Sequence, residues 1–370
     1  MGDDEKTTET SATPAGTTAE TRVVEPERLR RLMEGVLAGH GVPAADAAVV
    51  ADNLLEADLR GVDSHGCHLL ALYVDRLRAG HLEPVTAVTT VRDDGSTVVL
   101  DGGLGFGQVA GVAAMDLAVE RAREHGTAAV AVRESTHLGA LAYYTERAAA
   151  AGCVALAVQN GPTIVPPHGS VTPLLSTNPI SYAVPAGEEP SIVFDAATTT
   201  VAGNRVLLAK KRGDATIPAG WANDERGRPT TDTAAASVNR LQWFGGHKGY
   251  GIALFVEVLA GVLTGSSFGR TELTRSPAAG AQRTAKGYVF LALDVGRFLP
   301  VDEFRARVDT LVRDIAAAEP ADGVDRVLVP GQLEHERRAA RRRAGIPLSA
   351  ALVAELDRLA AEAGCPGLGA

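Results

Sequence analysis

Cysteine is scarce in this chain, and the three cysteines that occur form no recognisable pattern. Cys67, Cys153 and Cys365 lie far apart and make no CxxC pair. A disulfide framework or a thiolate zinc site needs more cysteines, or cysteines at closer spacing, so neither is expected. The scarcity favours a reducing compartment, and we expect a cytoplasmic protein.

The chain also lacks a long apolar run and an excess of positive charge. No stretch is long enough to span a bilayer, and residues 1–22 resemble a disordered tail rather than a signal peptide. A net charge of -9 argues against a nucleic-acid partner. What the chain does have is 370 residues, 45% of them hydrophobic, which is enough for a large core.

Helical and strand patterns alternate along the chain. Apolar residues recur at helical spacing in the N-terminal part, from Pro26 to Leu59. Further on, the patterns predict a hairpin over 85–100, helices over 108–125 and 301–316, and strands over 128–132, 154–158 and 287–293. Strand, helix and strand in that order favour an α/β architecture.

The stretch ADLRGVDSHGCHLL, from Ala57 to Leu70, places a hydroxyl directly beside an imidazole. Ser64 and His65 lie between Gly61 and Gly66, where the helical pattern breaks. Polar side chains on a loop between rigid elements are typical of functional sites. The alternative is that Ser64 caps the following helix and His65 is a surface histidine.

Three more polar residues lie where a strand ends or a helix begins. His137 follows the strand over 128–132, and Asp195 ends the apolar run Ile192-Val193-Phe194. Asp195 is either a helix cap or a site acid. Lys248 precedes a long apolar helix, whose backbone amides suit an anion such as a pyrophosphate; otherwise it is a solvated lysine at a glycine-rich turn.

A glycine cluster follows the strand ending near Leu100. In VVLDGGLGFGQVAG the glycines have the spacing GxGxxxG, and no acidic residue ends a second strand at the distance that a ribose contact requires. The cluster is therefore either a dinucleotide-binding turn, for which the sequence signal is weak, or a glycine-rich entry to a packed helix.

In their order along the chain, these motifs resemble the type 2 malate/L-lactate dehydrogenase family, which includes ureidoglycolate and sulfolactate dehydrogenases and reductases of cyclic imino acids. The resemblance runs from about Glu25 to Leu348. It is carried by ADLRGVDSHG, GFGQVAGVAAMDLAVERAREHG, VRESTHLGA, TNPI, FDAAT, IPAGWANDERGRPTTD, GGHKGYG and VPGQ.

The family resemblance implies a fold in which a three-layer mixed α/β sheet carries helices on both faces. This fold is not Rossmann, so the glycine cluster loses its dinucleotide interpretation. The implied segments are a disordered tail (1–22), an N-terminal helical segment packed with C-terminal helices (23–85), an α/β core that binds cofactor and substrate (86–330) and a C-terminal helical segment (331–370). The resemblance also implies a homodimer with its site near the partner subunit.

Site roles carried over from the resemblance fall on residues already noted. Ser64 and His65 form the polar pair of the SHG motif, His137 is the site histidine, and Asp195 is the acid beside the cofactor. The cofactor is NAD or NADP, and the residues near it are Thr177, Asn178, Pro179, Asp195, Ala196, Lys248, Pro330, Gly331 and Gln332. No metal is implied.

The residue types at the site fit the oxidation of an alcohol even without the family resemblance. Taking hydride from a carbinol requires its hydroxyl proton to leave, and a histidine with an ordinary pKa of about 6.5 exchanges protons near neutral pH. Either His65 or His137 could serve, and Ser64 or Asp195 could orient the imidazole. Together with the resemblance, which implies a nicotinamide cofactor, this predicts hydride transfer between nicotinamide and C2 of a 2-hydroxy or 2-oxo acid or a related compound.

One departure from the family pattern concerns the substrate. Many members carry an arginine four residues after the SHG histidine, where it would hold the substrate carboxylate. Leu69 stands there, and His68 precedes it as a partial substitute. Three alternatives stay open: a cyclic imino acid reductase, a cofactor-binding protein without turnover, and a metal-dependent hydrolase that uses His65, His68 and His137.

Overall fold

The computed structural model describes residues 21–271 and 285–369. The helices are α1 (Pro26–Gly39), α2 (Ala44–Leu59), α3 (Leu69–Arg78), α4 (Gly107–His125), α5 (Ala142–Ala150), α6 (Gly203–Arg212), α7 (His247–Glu257), α8 (Val301–Ala316), α9 (Gln332–Ala344) and α10 (Ala350–Ala363). The strands are β1 (Thr21–Val24), β2 (Thr89–Asp93), β3 (Thr97–Asp101), β4 (Thr127–Ser135), β5 (Cys153–Gln159), β6 (Ile180–Val184), β7 (Ile192–Ala196), β8 (Ala222–Asn223), β9 (Pro229–Thr230), β10 (Lys286–Asp294) and β11 (Ile346–Ser349).

A seven-stranded mixed sheet forms the centre, in the order β2-β3-β4-β10-β5-β6-β7. Strand β3 runs parallel to β4, and the other neighbours are antiparallel. The predicted hairpin is β2-β3. Strand β10 comes late in the chain yet inserts between β4 and β5, which brings distant segments together at the middle of the sheet.

Alternating side chains on β10 show that both faces of the sheet are covered. Tyr288, Phe290 and Ala292 belong to the core formed with α4 and α5, whereas Val289 packs with Val256 of α7 on the opposite face. Period-2 alternation places neighbouring residues on opposite faces of a strand. The predicted layered, non-Rossmann α/β fold is therefore confirmed.

A second core joins the two ends of the chain. Leu29, Leu54 and Leu70 of the N-terminal helices pack with Leu356 and Leu359 of α10. Strand β1 pairs antiparallel with β11, which adds a small two-stranded sheet to this unit.

The predicted segment boundaries need correction at these ends. Thr21 and Arg22, assigned to the tail, lie in β1, and residues 1–20 lie outside the described residues. The C-terminal segment is not purely helical, because β11 interrupts it. Four residues with one buried side chain carry too little pattern to predict β1; its pairing with β11 makes it a strand. Among the described residues, no helix is long and apolar enough to cross a membrane.

Candidate active site

The SHG motif forms a tight turn between α2 and α3. Asp63, Ser64 and His65 make one turn of 3-10 helix, and the Ser64 hydroxyl shares a hydrogen bond of 2.9 Å with Nδ1 of His65. Beneath the turn, the buried carboxylate of Asp58 accepts a 2.7 Å hydrogen bond from the Cys67 amide. The sequence alone did not assign a role to Asp58. Its signal in the sequence is Gly66, because the lack of a side chain there leaves the space that the Asp58 carboxylate fills.

His137 lies directly opposite this turn. It follows β4, and its ring stacks on the His65 ring with centroids 5.7 Å apart and an interplanar angle of 24°. Both rings are half-buried, so they keep some solvent access. The fold therefore brings together the two histidines that the sequence singled out.

Nδ1 of His137 is held by a chain of hydrogen bonds. The Gln108 amide donates to the Tyr73 hydroxyl at 2.7 Å, and that hydroxyl lies 3.0 Å from Nδ1. The Gly139 N–H also donates to Nδ1, at 3.3 Å. Because Nδ1 accepts, the proton of neutral His137 resides on Nε2. Nε2 has no hydrogen-bond partner within the described part of the chain, so it can reach a ligand.

The protein around the two imidazoles keeps them neutral. Desolvation lowers the pKa of His137 to about 3, and the protonated form of His65 and the charges of Arg76 and Lys286 act in the same direction. Desolvation also lowers the pKa of His65 to about 4, with a smaller effect from His68. At neutral pH both rings therefore act as uncharged hydrogen-bonding groups.

These pKa shifts predict acid lability. Below pH 6.5 an unfolded chain protonates both histidines whereas the folded protein does not, so stability decreases as the pH falls from about 6.5 towards 3. Each histidine contributes at most about 1.4 kcal/mol per pH unit. In urea unfolding at pH 7.5 and 5.5, we expect His137→Gln to lose less stability on acidification than wild type. An equal loss in both proteins would contradict the prediction.

The glycine cluster packs against the His137 turn. A Cβ at Gly107 would lie 2.5 Å from the His137 carbonyl oxygen, and the Thr136 hydroxyl bridges the Gly107 amide and the Gly105 carbonyl. The cluster is therefore a glycine-rich entry to α4 that lets the helix approach the site histidine closely.

Gln159, at the end of β5, links the loop of His137 to the turn formed by the TNPI motif (residues 177–180), which we call the TNPI turn. Its side-chain oxygen accepts from the Leu138 amide at 2.9 Å, and its backbone N–H donates to Pro179 at 3.4 Å. Asn178 has a backbone φ of +37°. Its side-chain amide donates hydrogen bonds to the Ala253 carbonyl of α7 and to the Glu257 carboxylate. The Thr177 carbonyl accepts from Thr198. This turn is therefore fixed rigidly between the sheet and α7.

Helix α7 begins at a glycine-rich turn, and the amides of Lys248, Gly249 and Tyr250 bond to carbonyls of that turn. Gly245 and Gly246 have φ of +58° and +64°, which favours glycine. Lys248 is exposed in the first turn. Gly249 packs on the Phe244 carbonyl and the Thr198 carbonyl. Because Thr198 also contacts Thr177, Lys248 lies on the same structural unit as the TNPI turn.

Asp195 makes a different contact from the one expected. Its carboxylate accepts a 2.7 Å hydrogen bond from the Ala142 amide at the start of α5, which is the contact of a helix cap. Within the described residues it bonds neither histidine, so the expectation that it orients an imidazole is wrong. Desolvation raises its pKa above the ordinary value. Neighbouring Ala196 pairs with Ile180 of β6.

The predicted turn at Pro330, Gly331 and Gln332 packs on β7, the strand that carries Asp195. The Val193 amide donates to Pro330 at 3.0 Å, and Gly331 has φ +89° with no room for a Cβ against Val193. A groove of about 1030 Å³ between α2, α4, α5 and α9 includes Gly331 in its lining but neither site histidine. The volume of this groove is therefore no evidence that the reaction takes place there.

His68 and Leu69 lie at the start of α3. Leu69 is partly buried against the core shared by the chain ends. Burial lowers the pKa of His68, and its Nδ1 is buried without a hydrogen bond among the described atoms. No group of three or more His, Cys, Asp or Glu side chains in residues 21–271 and 285–369 could hold a metal ion. The three histidines therefore offer no support for a metal hydrolase.

Fold and site together define an oxidoreductase of non-Rossmann α/β architecture. The chain belongs to the malate/L-lactate dehydrogenase family, whose model matches residues 24–357.

Relatives and solved structures agree with this assignment. The chain is 34% identical over 342 residues to the L-sulfolactate dehydrogenase of Methanocaldococcus jannaschii, covering 92% of this chain and 97% of the relative. It is 33% identical to the ureidoglycolate dehydrogenase (NAD(+)) of Escherichia coli O157:H7, covering 83% and 86%.

Two solved structures superpose over most of the chain. Malate dehydrogenase from Entamoeba histolytica gives a TM-score of 0.88 at 30% identity, covering 94% of this chain and 99% of that one. The delta1-piperideine-2-carboxylate reductase from Pseudomonas syringae pvar. tomato gives 0.80 at 32% identity, covering 91% and 99%. The family thus includes proteins named for acting on hydroxy acids and one named for a cyclic imine.

Proposed function

We propose that the protein is an NAD(P)-dependent oxidoreductase that interconverts a 2-oxo acid and the corresponding 2-hydroxy acid. The stacked pair His65 and His137 carries this proposal, because it offers two neutral imidazoles to one substrate oxygen. A nicotinamide cofactor supplies or accepts the hydride at C2, and a proton moves to or from the oxygen at the same carbon.

The hydrogen bonds favour a division of roles. His137 presents Nε2–H, because Nδ1 accepts from Tyr73 and Gly139, and so it donates a hydrogen bond that polarises the substrate carbonyl. When the hydroxyl of Ser64 accepts from Nδ1 of His65, Nε2 of His65 carries a lone pair. We assign proton exchange to His65, which accepts the hydroxyl proton at Nε2 during oxidation and must take up a proton from solvent before it protonates the substrate oxygen during reduction, and we assign substrate polarisation to His137.

The chain offers a suitable support for the cofactor. Exposed Lys248 and the start of α7 fit a pyrophosphate, since a helix N-terminus and a cation both favour an anion. The TNPI turn, Asp195, Ala196 and the Pro330-Gly331-Gln332 turn would line the rest of the cofactor site. Buried Asn178 keeps Oδ1 unbonded among the described atoms, which leaves an acceptor there. Three free cysteines agree with a reducing cytoplasm.

The test is oxidation of NADH or NADPH by a panel of 2-oxo acids and cyclic imino acids, followed as absorbance loss. We expect turnover of at least one panel member with one of the two cofactors. If neither cofactor binds at millimolar concentration, the assignment fails. If both the cofactor and the panel compounds bind without turnover, the alternative of a binding protein gains support.

A cyclic imino acid is the second substrate class that we propose. It is supported by the structural likeness to the piperideine-2-carboxylate reductase. The same neutral His137 donor would hydrogen-bond an imine nitrogen as readily as a carbonyl oxygen. Higher kcat/KM on imines than on oxo acids would identify this class.

We also propose that the protein is a homodimer whose interface includes the outer face of α7 and the π-helical turn that follows it. Large apolar side chains are exposed there at helical spacing: Ile252, Leu254, Phe255, Val258, Val262 and Leu263. Contiguous apolar surface of this kind marks an interaction site in soluble proteins. A second copy of the chain is the occupant that the family resemblance implies.

Phe255→Arg should convert the dimer to a monomer, because it places a charge where a 59% exposed aromatic ring would be buried. Light scattering or sedimentation measures the change. Phe298→Arg is the matched control, since Phe298 is 70% exposed outside this face. A wild-type monomer, or a Phe255→Arg dimer as tight as wild type, would contradict the proposed interface.

A further inference from the structure

Helix α3 presents a third polar group on the side that faces the histidines. Leu69, Tyr73 and Arg76 follow one another at spacings of four and three residues, so they share one face of the helix. The Tyr73 hydroxyl reaches Nδ1 of His137. Arg76 therefore leaves α3 one turn beyond Tyr73, on the face that carries Leu69 in place of the family's arginine.

The Arg76 guanidinium has no acidic partner within residues 21–271 and 285–369. Two other arginines in this stretch of sequence are paired, Arg60 with Glu146 and Arg78 with Glu362. Arg76 is nevertheless half-buried, and its charge lowers the pKa of both His137 and Tyr73. A partly desolvated guanidinium beside a reaction site is stabilised by an anion with two oxygens.

Other groups are less suited to hold that anion. His68 is neutral at pH 7, because burial lowers its pKa. Lys286, whose charge also acts on His137, is buried and already engaged in an interaction of its own. Lys248 lies at the start of α7, with the proposed cofactor site. Arg76 thus remains the cation best placed for a substrate anion.

We infer that Arg76 binds the substrate carboxylate and takes over the part played in many relatives by the arginine that Leu69 replaces. This inference rests on the proposed function, and it makes a 2-oxo or cyclic imino carboxylate the substrate class. Binding the carboxylate at Arg76 would place C2 towards His65 and His137.

The test compares oxamate, an unreactive 2-oxo acid analogue, with its neutral counterpart oxamide. Kd is measured by calorimetry with protein alone and with NADH or NADPH present. We expect wild type to prefer oxamate. Arg76→Met should weaken oxamate binding by about 30-fold or more, the loss typical of truncating one partner of a buried charge pair, and oxamide binding by less than about 3-fold.

Two further variants sharpen the comparison. Arg78→Met is the matched control, since it removes a surface arginine of the same helix that pairs with Glu362. Arg76→Lys keeps the charge but loses the planar fork, so an intermediate affinity is expected even if the methionine variant folds poorly.

The outcomes separate this inference from the proposed function. Equal affinity of wild type for oxamate and oxamide, unchanged oxamate affinity in both Arg76 variants, or equal losses for both ligands would each overturn the role of Arg76. Selective oxamate binding that depends on Arg76 would support the role of Arg76 even if no panel compound were reduced. A failure to reduce any panel compound would contradict the proposed function but not the role of Arg76.

Discussion

His137→Gln should lower kcat by about 10² to 10³-fold, the usual loss when one positioned hydrogen-bond donor to the developing oxyanion is removed. Glutamine keeps an amide of similar reach but cannot reproduce the imidazole Nε2–H, whose position depends on the bonds that Tyr73 and Gly139 make to Nδ1. Steady-state reduction of the best panel substrate measures the effect. His125→Gln, at the exposed end of α4, is the control and should keep wild-type kcat.

The companion variants test the division of roles. Tyr73→Phe removes the hydroxyl from Nδ1 of His137 but leaves the Gly139 amide, so we expect a smaller loss than for His137→Gln. His65→Gln should also reduce kcat strongly, because it removes the group assigned to proton exchange. Near wild-type kcat in His137→Gln would remove that residue from the mechanism.

Much of the central sheet could be predicted from local pattern. The alternation in β3 and β4 and the spacing in α8 reflect burial on one face, which the sequence records directly. His65 and His137 were both recognised at element junctions. Their stacking at 5.7 Å could not be predicted from spacing alone, since it depends on how α2, α3 and β4 pack.

The residues that support the histidines were missed for a physical reason. Tyr73 and Gln108 sit within ordinary helical patterns, and burial between α3 and α4 makes them a hydrogen-bond chain. Their partners are distant in sequence, so no local spacing reveals them. Asp195 shows the reverse case, because a carboxylate at a strand end has the same local pattern whether it caps a helix or serves a site.

Gly66→Ala should destabilise the protein and reduce turnover, although alanine is the smallest possible addition. Gly66 has φ -91° and ψ -155°, an extended conformation open to any residue, so the effect arises from space alone. The new methyl group would overlap the Asp58 carboxylate, which is buried and holds the Cys67 amide beneath the SHG turn. Overpacking and a broken buried hydrogen bond together cost about 2 to 4 kcal/mol.

A double-mutant cycle shows whether the Asp58 contact is the cause. Asp58→Ala alone should also destabilise, because it leaves the buried Cys67 amide without its acceptor. In the double variant the methyl group fills space that the carboxylate has left. The free energy of unfolding lost by the double variant should therefore be at least about 1 kcal/mol smaller than the sum of the losses in the two single variants, as measured by urea unfolding. Gly203→Ala is the control, since its Cβ would meet only ordinary contacts at 3.8 Å and beyond. Additive losses would show that Gly66 acts through something other than Asp58, whereas a coupled loss of stability and kcat would mean that this buried carboxylate holds His65 opposite His137.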